Sequence, residues 1–405
     1  MPTHFPLASA VFSSGRALVA LFFAPLLGCG ATAEPLPLLE LESAAADPPR
    51  AASYVEEPAG AIFVSPVGND DDPGSRAALV MTFARAVALA RPGARHIALC
   101  AGTFSRPLEL TNDLGADAFS VTGGASCLGF PKGPSVVRTT SVPALHVFAV
   151  AGPTRIERIT FERADAVDAG ASSIAAHIAF VDDVRLTDVT IRAGNGSPGA
   201  MGGTAILSPC AEPPDPRVPT HIGHDGKGAA VPGYLSGTWV PESGHSGGIL
   251  RFPRSSRCVE APVAAGAFGG GGGASIGLVA RLTHLTLVRS VILAQDAANG
   301  GSGGSAQAPT CDPAAQKSCE VLDIGGGGGG AGGVSTAVLH RQTLFDMDAA
   351  SRMAAGGAGL GGNGGQGARW LHGTAGIAGI SSPMLSAEDF PETTAEGTED
   401  EQESM

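Results

Sequence analysis

Short apolar segments separated by polar turns recur along the chain after residue 60. Residues 61–65 and 96–100 each predict a short strand. Between them, Leu79, Phe83 and Val87 lie four residues apart, which predicts one face of a helix that Ser75 caps and Pro92-Gly93 ends. One helix followed by many strands favours an all-β domain with a helix covering its N-terminal end.

A repeated pattern indicates how these strands are arranged. Residues 155–161, 185–191 and 281–287 share the order Arg, apolar, two variable residues, apolar, Thr, apolar. A β-rich unit that is too short to bury its apolar side alone is typical of stacked coils. We therefore expect a right-handed parallel β-helix, with glycines supplying positive φ at the turns. The alternative is an antiparallel sandwich, which would show hairpin signals between paired strands.

Glycine-rich segments interrupt the repeats. Residues 195–262 and 299–333 are interpreted as long loop insertions, and 356–367 as a further glycine-rich turn. Loops of this length commonly protrude from a scaffold and are functional or mobile. The β-helix domain is expected to span 61–385. Residues 386–405 hold eight acidic side chains and no basic one, which predicts a disordered acidic tail.

The N-terminal residues predict export. Residues 1–28 contain one basic side chain and then about a dozen apolar residues, as in a signal peptide. The run ends in Leu26-Leu27-Gly28-Cys29, which resembles the bacterial lipobox, so Cys29 is the expected lipidation site. Residues 29–60 would form a flexible tether. The protein is therefore expected in the bacterial envelope, lipid-anchored at the outer membrane or cell surface. An ordinary cleaved signal with a chance cysteine is the alternative.

Composition narrows the classes further. The 405 residues include 59 glycines and 30 prolines, yet 43% are hydrophobic, which excludes a wholly disordered polar chain and argues against a helical protein. The net charge of −13 makes a nucleic-acid partner unfavourable. The six cysteines other than Cys29 predict three disulfides between sequence neighbours, with metal binding as the alternative. The expected pairs are Cys100 with Cys127, Cys210 with Cys258, and Cys311 with Cys319.

The first folded segments resemble a known family. Residues 63–75, 82–90 and 96–104 are similar to the start of DUF1565, a domain of unknown function among the pectin-lyase-like right-handed β-helices. Together with the glycine-rich approach to a strand at 269–275, the chain resembles lipoproteins abundant in myxobacteria. The resemblance implies a strand, a turn and a helix that cap the N-terminal end of a β-helix. It implies no assigned reaction.

Some acidic and arginine side chains are of the types that polysaccharide lyases use in catalysis. Pectate and pectin lyases, which resemble this fold, hold Ca²⁺ on a carboxylate cluster and remove a proton with Arg or Lys. Asp182 and Asp183 precede a strand, and Arg155, Arg185 and Arg281 could align down one face. No second row of carboxylates is evident for the six or more oxygens that Ca²⁺ takes. Surface ion pairs are the simpler interpretation.

The remaining motifs are interpreted as structural. Ser246, Ser275 and Ser302 lie in Gly-x-Ser-x-Gly matches, but the strand-to-helix context of a nucleophile is missing, so these are turns. Residues 69–72 form a turn before the helix rather than a cation site. No phosphate loop is present because Gly228 follows Lys227. Three histidines and one aspartate of a single loop are interpreted as solvated side chains, with a zinc site as the alternative: His221, His224, Asp225 and His245.

The sequence thus predicts a structural or binding module without a cofactor, metal or assigned catalytic residue. Its expected ligand is a carbohydrate or another envelope component, and its expected membrane contact is the lipid. A polysaccharide lyase or hydrolase of the pectin-lyase-like superfamily is the competing function.

Overall fold

The structure is a computed structural model that describes residues 60–90, 95–112, 118–127, 133–207, 233–235, 238–240, 249–250, 263–306, 323–367 and 371–389. The signal peptide, Cys29, the tether and most of the acidic tail lie outside these residues. So do Cys210, Cys258, Cys311 and Cys319. The described part is mostly strand, with one α-helix, α1 (Phe83–Ala90).

The strands in chain order are β1 (Ile62–Val64), β2 (His96–Cys100), β3 (Gly102–Phe104), β4 (Leu108–Leu110), β5 (Phe119–Ala125), β6 (Ser135–Thr139), β7 (Leu145–Phe148), β8 (Thr154–Glu157), β9 (Ile159–Arg163), β10 (Ser173–Thr187), β11 (Thr190–Arg192), β12 (Thr204–Leu207), β13 (Gly233–Leu235), β14 (Thr238–Val240), β15 (Ile249–Leu250), β16 (Val263–Gly266), β17 (Ser275–Val288), β18 (Val291–Leu293), β19 (Asp323–Ile324), β20 (Ser335–Arg341), β21 (Leu344–Met347), β22 (Arg352–Ala354) and β23 (Ser381–Ser386).

Two parallel sheets contain most of these strands. The first has eleven strands and follows the order β1-β2-β5-β8-β10-β17-β20-β23, with β4, β7 and β21 joined to it. The second has six strands in the order β22-β18-β11-β9-β6-β3. Among the named strands of the described residues, antiparallel pairing is confined to three two-stranded ribbons, β12–β16, β13–β14 and β15–β19. The parallel pairing contradicts the antiparallel sandwich.

The chain passes through the sheets in successive levels, here defined as residues 145–172, 173–274, 275–334 and 335–380. Equivalent residues of adjacent levels pair in register, so that like side chains stack on one another. The inward rows form the apolar core, whose largest fully buried members are Phe161, Ile97, Leu99, Leu108, Leu110, Leu145, Ile156, Ile159, Ile178, Leu186, Ile191 and Ile276. These rows account for the apolar content of so glycine-rich a chain.

The predicted repeat is correct for two copies and wrong for the third. Arg155 pairs with Arg185, and Phe161 with Ile191, as the sequence pattern requires. Arg185 pairs on its other side with Thr286, whereas Arg281 pairs with Ala179. The third copy is therefore residues 286–292 and not 281–287. The error arose because Leu282, assigned to an inward position, is exposed at a left-handed backbone corner.

Helix α1 covers the first strands, as predicted, but begins later than expected. The hydroxyl of Thr82 accepts a hydrogen bond from the backbone N of Arg85 at 3.2 Å, so Thr82 and not Ser75 is the N-cap. Leu79 precedes the helix in an extended segment, where the next residue, Val80, bridges to Val64. The helix buries Phe83, Ala86, Val87 and Ala90.

One predicted disulfide is confirmed. Cys100 at the end of β2 is bonded to Cys127, which follows β5, with their Cα atoms 5.6 Å apart. Both cysteines are buried. Next to this link, the guanidinium of Arg76 donates two hydrogen bonds to the carbonyl of Ser126, at 2.8 and 2.6 Å. The loop closed by the disulfide lies at the end of the domain that α1 covers.

Single left-handed residues form the corners between strands. The first corner row is Ala149, Phe180, Leu282 and Gln342, with φ of 54°, 57°, 48° and 49°. The second is Arg158, Asp188 and Arg289, with φ of 55°, 51° and 47°. The expectation that glycines would supply positive φ at the turns is therefore correct only in part: it holds at Gly102 and Gly170, but not at these two corner rows. Such a conformation costs an L-residue roughly 1–2 kcal/mol, which the surrounding in-register sheets must offset.

The glycine-rich segments are extended legs packed side by side, here called the glycine wall. Its legs are L1 (194–203), L2 (266–274), L3 (294–306), L4 (325–334), L5 (354–367) and L6 (371–380). Three residues separate successive hydrogen bonds to one neighbour, which is the period of a polyproline II helix. Backbone N atoms of Ala297, Gly300 and Gly303 in L3 donate to the carbonyls of Gly357, Leu360 and Asn363 in L5.

The next residue after each of these donors in L3 forms a backbone hydrogen bond to a different leg, L2. Ala298, Gly301 and Gly304 donate to the carbonyls of Gly273, Gly270 and Ala267 in L2. L1, L3 and L5 form one row of legs, and L2, L4 and L6 form a second row that runs antiparallel to it. Residues 299–306 and 325–333, the ends of the predicted insertion 299–333, therefore belong to the wall rather than to a protruding loop, and so does the predicted turn 356–367.

Close packing explains why the legs need glycine. A Cβ atom at Gly300 would lie 2.1 Å from the carbonyl oxygen of Gly330, and one at Gly330 would lie 2.0 Å from that of Gly270. No described glycine of the legs has φ in the left-handed region. The requirement is therefore for space rather than for unusual backbone angles.

At several turns the third amide faces outward and donates a hydrogen bond to a side chain of the preceding level. The amide of Asn195 donates to Asp165, and that of Asp296 donates to the side-chain oxygen of Asn195. On the next level, the amides of Gly357 and Leu360 donate to Asp296 and Asn299, both at 2.7 Å. Short polar side chains thus complete the hydrogen bonding that glycine cannot supply.

Replacing single wall glycines by alanine tests whether the legs need glycine because there is no space for a Cβ atom. Gly330→Ala is expected to lower the free energy of unfolding by about 2 kcal/mol or more, because the new methyl group meets a backbone carbonyl. Gly357→Ala is the matched control, since its Cβ would be 3.4 Å from the nearest atom, a side-chain oxygen of Asp296. Denaturant titration measures both variants. Equal effects would contradict the packing explanation.

Candidate functional site

The first corner row exposes aromatic side chains. Phe180 adopts φ of 57°, and its side chain is 43% exposed. On the preceding level Phe148 is 40% exposed, and the two rings meet edge to face with centroids 5.3 Å apart. A bulky residue in a left-handed conformation is a genuine outlier, and such strain clusters at functional sites. Two exposed phenylalanines at this corner therefore mark a candidate binding surface.

An arginine of the next level covers one of these rings. The guanidinium carbon of Arg281 lies 5.3 Å from the ring centroid of Phe180. Its Nε atom is buried and has no hydrogen-bond partner in the part of the chain that the structure describes. In the described residues, Arg281 forms no ion pair with an acidic side chain. The arginine is thus held by a cation–π contact while its charge stays available to an anion.

Two stacked histidines adjoin the aromatic pair. His146 and His177 are register partners on adjacent levels, with ring centroids 5.3 Å apart and planes inclined by 13°. Glu109 pairs with His146 on the preceding strand, so the three side chains form one row. Burial, together with the nearby His146 and Arg281, lowers the pKa of His177 to about 4. His177 is therefore neutral near pH 7.

An acid–histidine cluster follows directly after the corner. An irregularity in the pairing of β10 with β17 lies between Val181 and Val184, at the point where Asp182 and Asp183 occur. The Nδ1 atom of His284 is 3.7 Å from a carboxylate oxygen of Asp183, and its Nε2 atom is 2.8 Å from one of Asp346. The imidazole therefore lies between two carboxylates that belong to different levels.

These groups together are called the corner site. It comprises the aromatic, histidine and charged side chains His146, Phe148, His177, Phe180, Asp183, Arg281, His284 and Asp346. A groove beside α1 extends the row at Glu109. The groove has a volume of about 370 Å³ and is lined by Thr82, Phe83, Ala84, Val87, Arg106, Pro107, Glu109 and Thr111.

Arginines 155 and 185 lie on the strand face next to the corner site. They are direct register partners, and both side chains are exposed. Like charges directly opposite each other on neighbouring strands repel. Neither side chain forms an ion pair within the described residues. This arrangement favours an anionic group above the pair.

The second corner row shows how the same backbone geometry is stabilised by charge. The guanidinium of Arg289 donates two hydrogen bonds to Asp188, at 2.7 and 2.6 Å. These bonds raise the pKa of Arg289. The backbone N of Arg289 also donates to Asp348, whose pKa is lowered by hydrogen bonds from Ser351 and from this amide. Arg289 and Asp188 thus form an ion pair, whereas Arg281 at the first corner forms none with an acidic side chain in the described residues.

The predicted alignment of acids and arginines is correct only in part. The structure brings Asp183 to His284 and Asp346 and places Arg155 beside Arg185. Arg281 is separate from those two arginines, because it belongs to the strand segment before the corner. Asp182 is exposed, but no ion pair or hydrogen bond of its side chain is present in the described residues.

The other sequence motifs prove structural where they are described. Ser275 is fully buried in β17 and donates to the carbonyl of Gly194 at 2.7 Å, so it is no nucleophile. Asp70 accepts hydrogen bonds from the backbone of Met81 and Thr82, which confirms the turn before the helix. Ser302 lies within L3. Several other candidates lie outside the described residues: His221, His224, Asp225, Lys227, Gly228, His245 and Ser246.

Six members of the corner site were not predicted from the sequence: His146, Phe148, His177, Phe180, His284 and Asp346. In residues 145–148, the alternation Leu-His-Val-Phe places His146 and Phe148 on the outward face, and this signal was available. Phe180 and Asp346 could be assigned only after the levels had been aligned correctly. Among the described residues, no group of three or more His, Cys, Asp or Glu side chains is arranged to hold a metal ion.

The buried His177 predicts a pH dependence of stability. Its folded pKa of about 4 lies below the ordinary value of 6.5, so the unfolded chain binds more protons between these values. The free energy of unfolding should therefore fall as pH drops from 6.5 towards 4. His177→Gln should flatten this slope, as measured by denaturant titration at several pH values. His96, whose pKa is also lowered by burial, leaves part of the slope. Identical slopes for both proteins would contradict the assignment.

No family model, curated protein or solved structure matches this chain. In the part of the chain that the structure describes, no helix has the length and apolar character needed to span a membrane. The geometry of the corner site therefore provides the basis for a functional proposal.

Proposed function

We propose that this protein is an exported, lipid-anchored parallel β-helix that binds an extended carbohydrate of the cell envelope at the corner site. The proposal includes a right-handed coil and membership of the DUF1565-type domains in the pectin-lyase-like superfamily. The long in-register parallel sheets and the covering helix α1 support this fold. The resemblance of residues 63–104 supports the family, and Leu26-Leu27-Gly28-Cys29 supports the anchor.

The exposed pair Phe148 and Phe180 carries the proposal. Sugar rings present apolar C–H faces that pack on aromatic rings, and their hydroxyl groups bond to neighbouring polar side chains. The corner site combines both kinds of group, because Asp183, His284 and Asp346 follow the aromatic pair directly. Adjacent levels are separated by about 4.8 Å. A chain of sugars lying across several levels would therefore contact the same strip repeatedly.

The free arginines favour an acidic carbohydrate. Arg281 lies over Phe180, and Arg155 and Arg185 repel each other on the adjoining strand face. A carboxylate or sulfate of the ligand would accept the two-pronged hydrogen bonds that guanidinium groups form. Overall charge opposes such a ligand at long range, since the chain carries −13. Salt screens that repulsion beyond about 10 Å, whereas direct contacts persist.

A polysaccharide lyase or hydrolase is the second candidate function. The observation that favours it is His284, held between the carboxylates of Asp183 and Asp346. Such an imidazole could accept a proton from a bound sugar while the carboxylates orient it. The cluster is open on the protein surface, where nothing in the described residues excludes water, and this arrangement suits binding better than catalysis.

Truncation of the aromatic pair tests the binding proposal. Phe148→Ala and Phe180→Ala should each weaken binding of polygalacturonate about tenfold, through loss of ring contacts worth about 1.4 kcal/mol. Affinity electrophoresis and calorimetry with polygalacturonate, alginate and neutral dextran measure the effect. Phe268→Ala is the matched control, because Phe268 is also exposed but lies in the glycine wall.

The same experiment separates the two functions. Binding that is lost in the corner variants and kept in the Phe268 variant supports the binding module. Release of unsaturated product, followed by its absorbance, would assign the lyase instead. Equal binding by all variants would contradict the corner site.

The anchor is tested separately. Cys29→Ser removes the sulfur that would carry the lipid, so the protein should move from the membrane fraction to the soluble exported fraction. Ala31→Ser is the control, since it leaves the cysteine in place. Fractionation of bacteria that export each variant gives the result. Membrane association of the Cys29 variant equal to that of the control would refute lipid anchoring.

A further inference from the structure

The glycine wall ends in an open hydrogen-bonding edge at its last level. In earlier levels, each leg of the first row donates amides to the following level, as L1 does to L3 and L3 to L5. The equivalent amides of L5 belong to Ala358, Gly361 and Gly364. Within the described residues these three amides have no hydrogen-bond partner, and all three residues are partly exposed.

The neighbouring leg, L6, presents backbone carbonyls that accept no hydrogen bond from the described residues. In L2, the carbonyls of Ala267, Gly270 and Gly273 accept hydrogen bonds from L3, and those of L4 accept equivalent bonds from L5. The corresponding carbonyls of L6 are those of Gly373, Gly376 and Gly379. None of the described residues donates to them. The edge thus presents donors from L5 and acceptors from L6, each repeated every three residues.

The wall itself shows what fits such an edge. L3 occupies the equivalent place against L1 and L2. It accepts bonds from L1 through the carbonyls of Asp296, Asn299 and Ser302, and it donates to L2 through Ala298, Gly301 and Gly304. A Cβ atom at Gly301 would lie 1.9 Å from the carbonyl oxygen of Ala200 in L1. A segment bound at this edge must therefore be extended, and it must have glycine at the positions that pack against the backbone of L5.

We infer that this open edge binds an extended glycine-rich segment of another polypeptide, which adds to the wall as a seventh leg. The segment would adopt the polyproline II conformation and have glycine at a three-residue spacing. Main-chain bonds would supply the affinity, as when a peptide strand adds to the edge of a β-sheet. The requirement for glycine would supply the selectivity. This edge is separate from the corner site, and the inference does not depend on carbohydrate binding.

A synthetic peptide of the L3 sequence is the probe. The peptide Asp-Ala-Ala-Asn-Gly-Gly-Ser-Gly-Gly-Ser reproduces residues 296–305. Its carbonyls are placed to accept from L5 and its amides to donate to L6. The control peptide carries alanine at the positions of Gly301 and Gly304, whose Cβ atoms would meet backbone oxygens at 1.9 and 2.0 Å. Nuclear magnetic resonance titration of the full chain should show at least tenfold weaker binding of the control.

A proline substitution tests the site on the protein. Ala358→Pro removes one unpaired donor and directs a ring towards the incoming leg, while proline remains compatible with the extended conformation. Asn363→Pro is the matched control, because this residue faces outward in the same leg. Unfolding temperatures verify that both variants fold. We expect at least tenfold weaker peptide binding by Ala358→Pro and unchanged binding by Asn363→Pro. Absence of binding to the unmodified protein, equal binding of both peptides, or equal effects of both prolines would overturn the inference.

Discussion

Backbone hydrogen bonding between legs that have no room for a Cβ atom is the constraint on which this molecule depends. The inner legs L2, L3 and L4 each donate two amides of every three to neighbouring legs, and approaches such as 2.0 Å between a Cβ at Gly330 and the oxygen of Gly270 leave space for glycine alone. Glycine loses more conformational freedom on folding than other residues. The backbone hydrogen bonds between legs must offset this loss of conformational entropy. The apolar core of the sheets holds the legs in register.

The two corner rows share one backbone geometry but differ in what their side chains contact. Both rows use single left-handed residues, and both must offset the associated strain. At the second corner, Asp188 and Asp348 bind Arg289, so the strain is matched by local charge contacts. At the first corner, Phe148, Phe180 and Arg281 are held together without an acidic partner. The second corner pairs Arg289 with Asp188, whereas the first leaves ring edges and the guanidinium of Arg281 available to a ligand.

The sequence predicted the parts of the structure that depend on local pattern. The strands around Phe63 and Ile97, the covering helix and the Cys100–Cys127 disulfide follow from alternation, spacing and cysteine order. The glycine wall could not be read in this way, because its hydrogen bonds join distant legs such as L1 and L3 as well as consecutive ones such as L5 and L6, and a three-residue glycine spacing does not say which legs are neighbours. The displaced third repeat has the same origin, since Arg281 imitates a pattern whose true position begins at Thr286.

The wall also limits where chemistry can evolve. Two of three positions in each leg face other legs, and substitution there meets backbone atoms. Only the outward third is free to vary, and in L1 and L3 it is already used by Asn195, Asp296 and Asn299 to bond the next level. New side-chain function is therefore confined to strand faces and to corners. At a corner a left-handed residue turns its side chain outward at no expense to the core, which explains why a residue as large as Phe180 is tolerated there and why the reactive groups gather beside it.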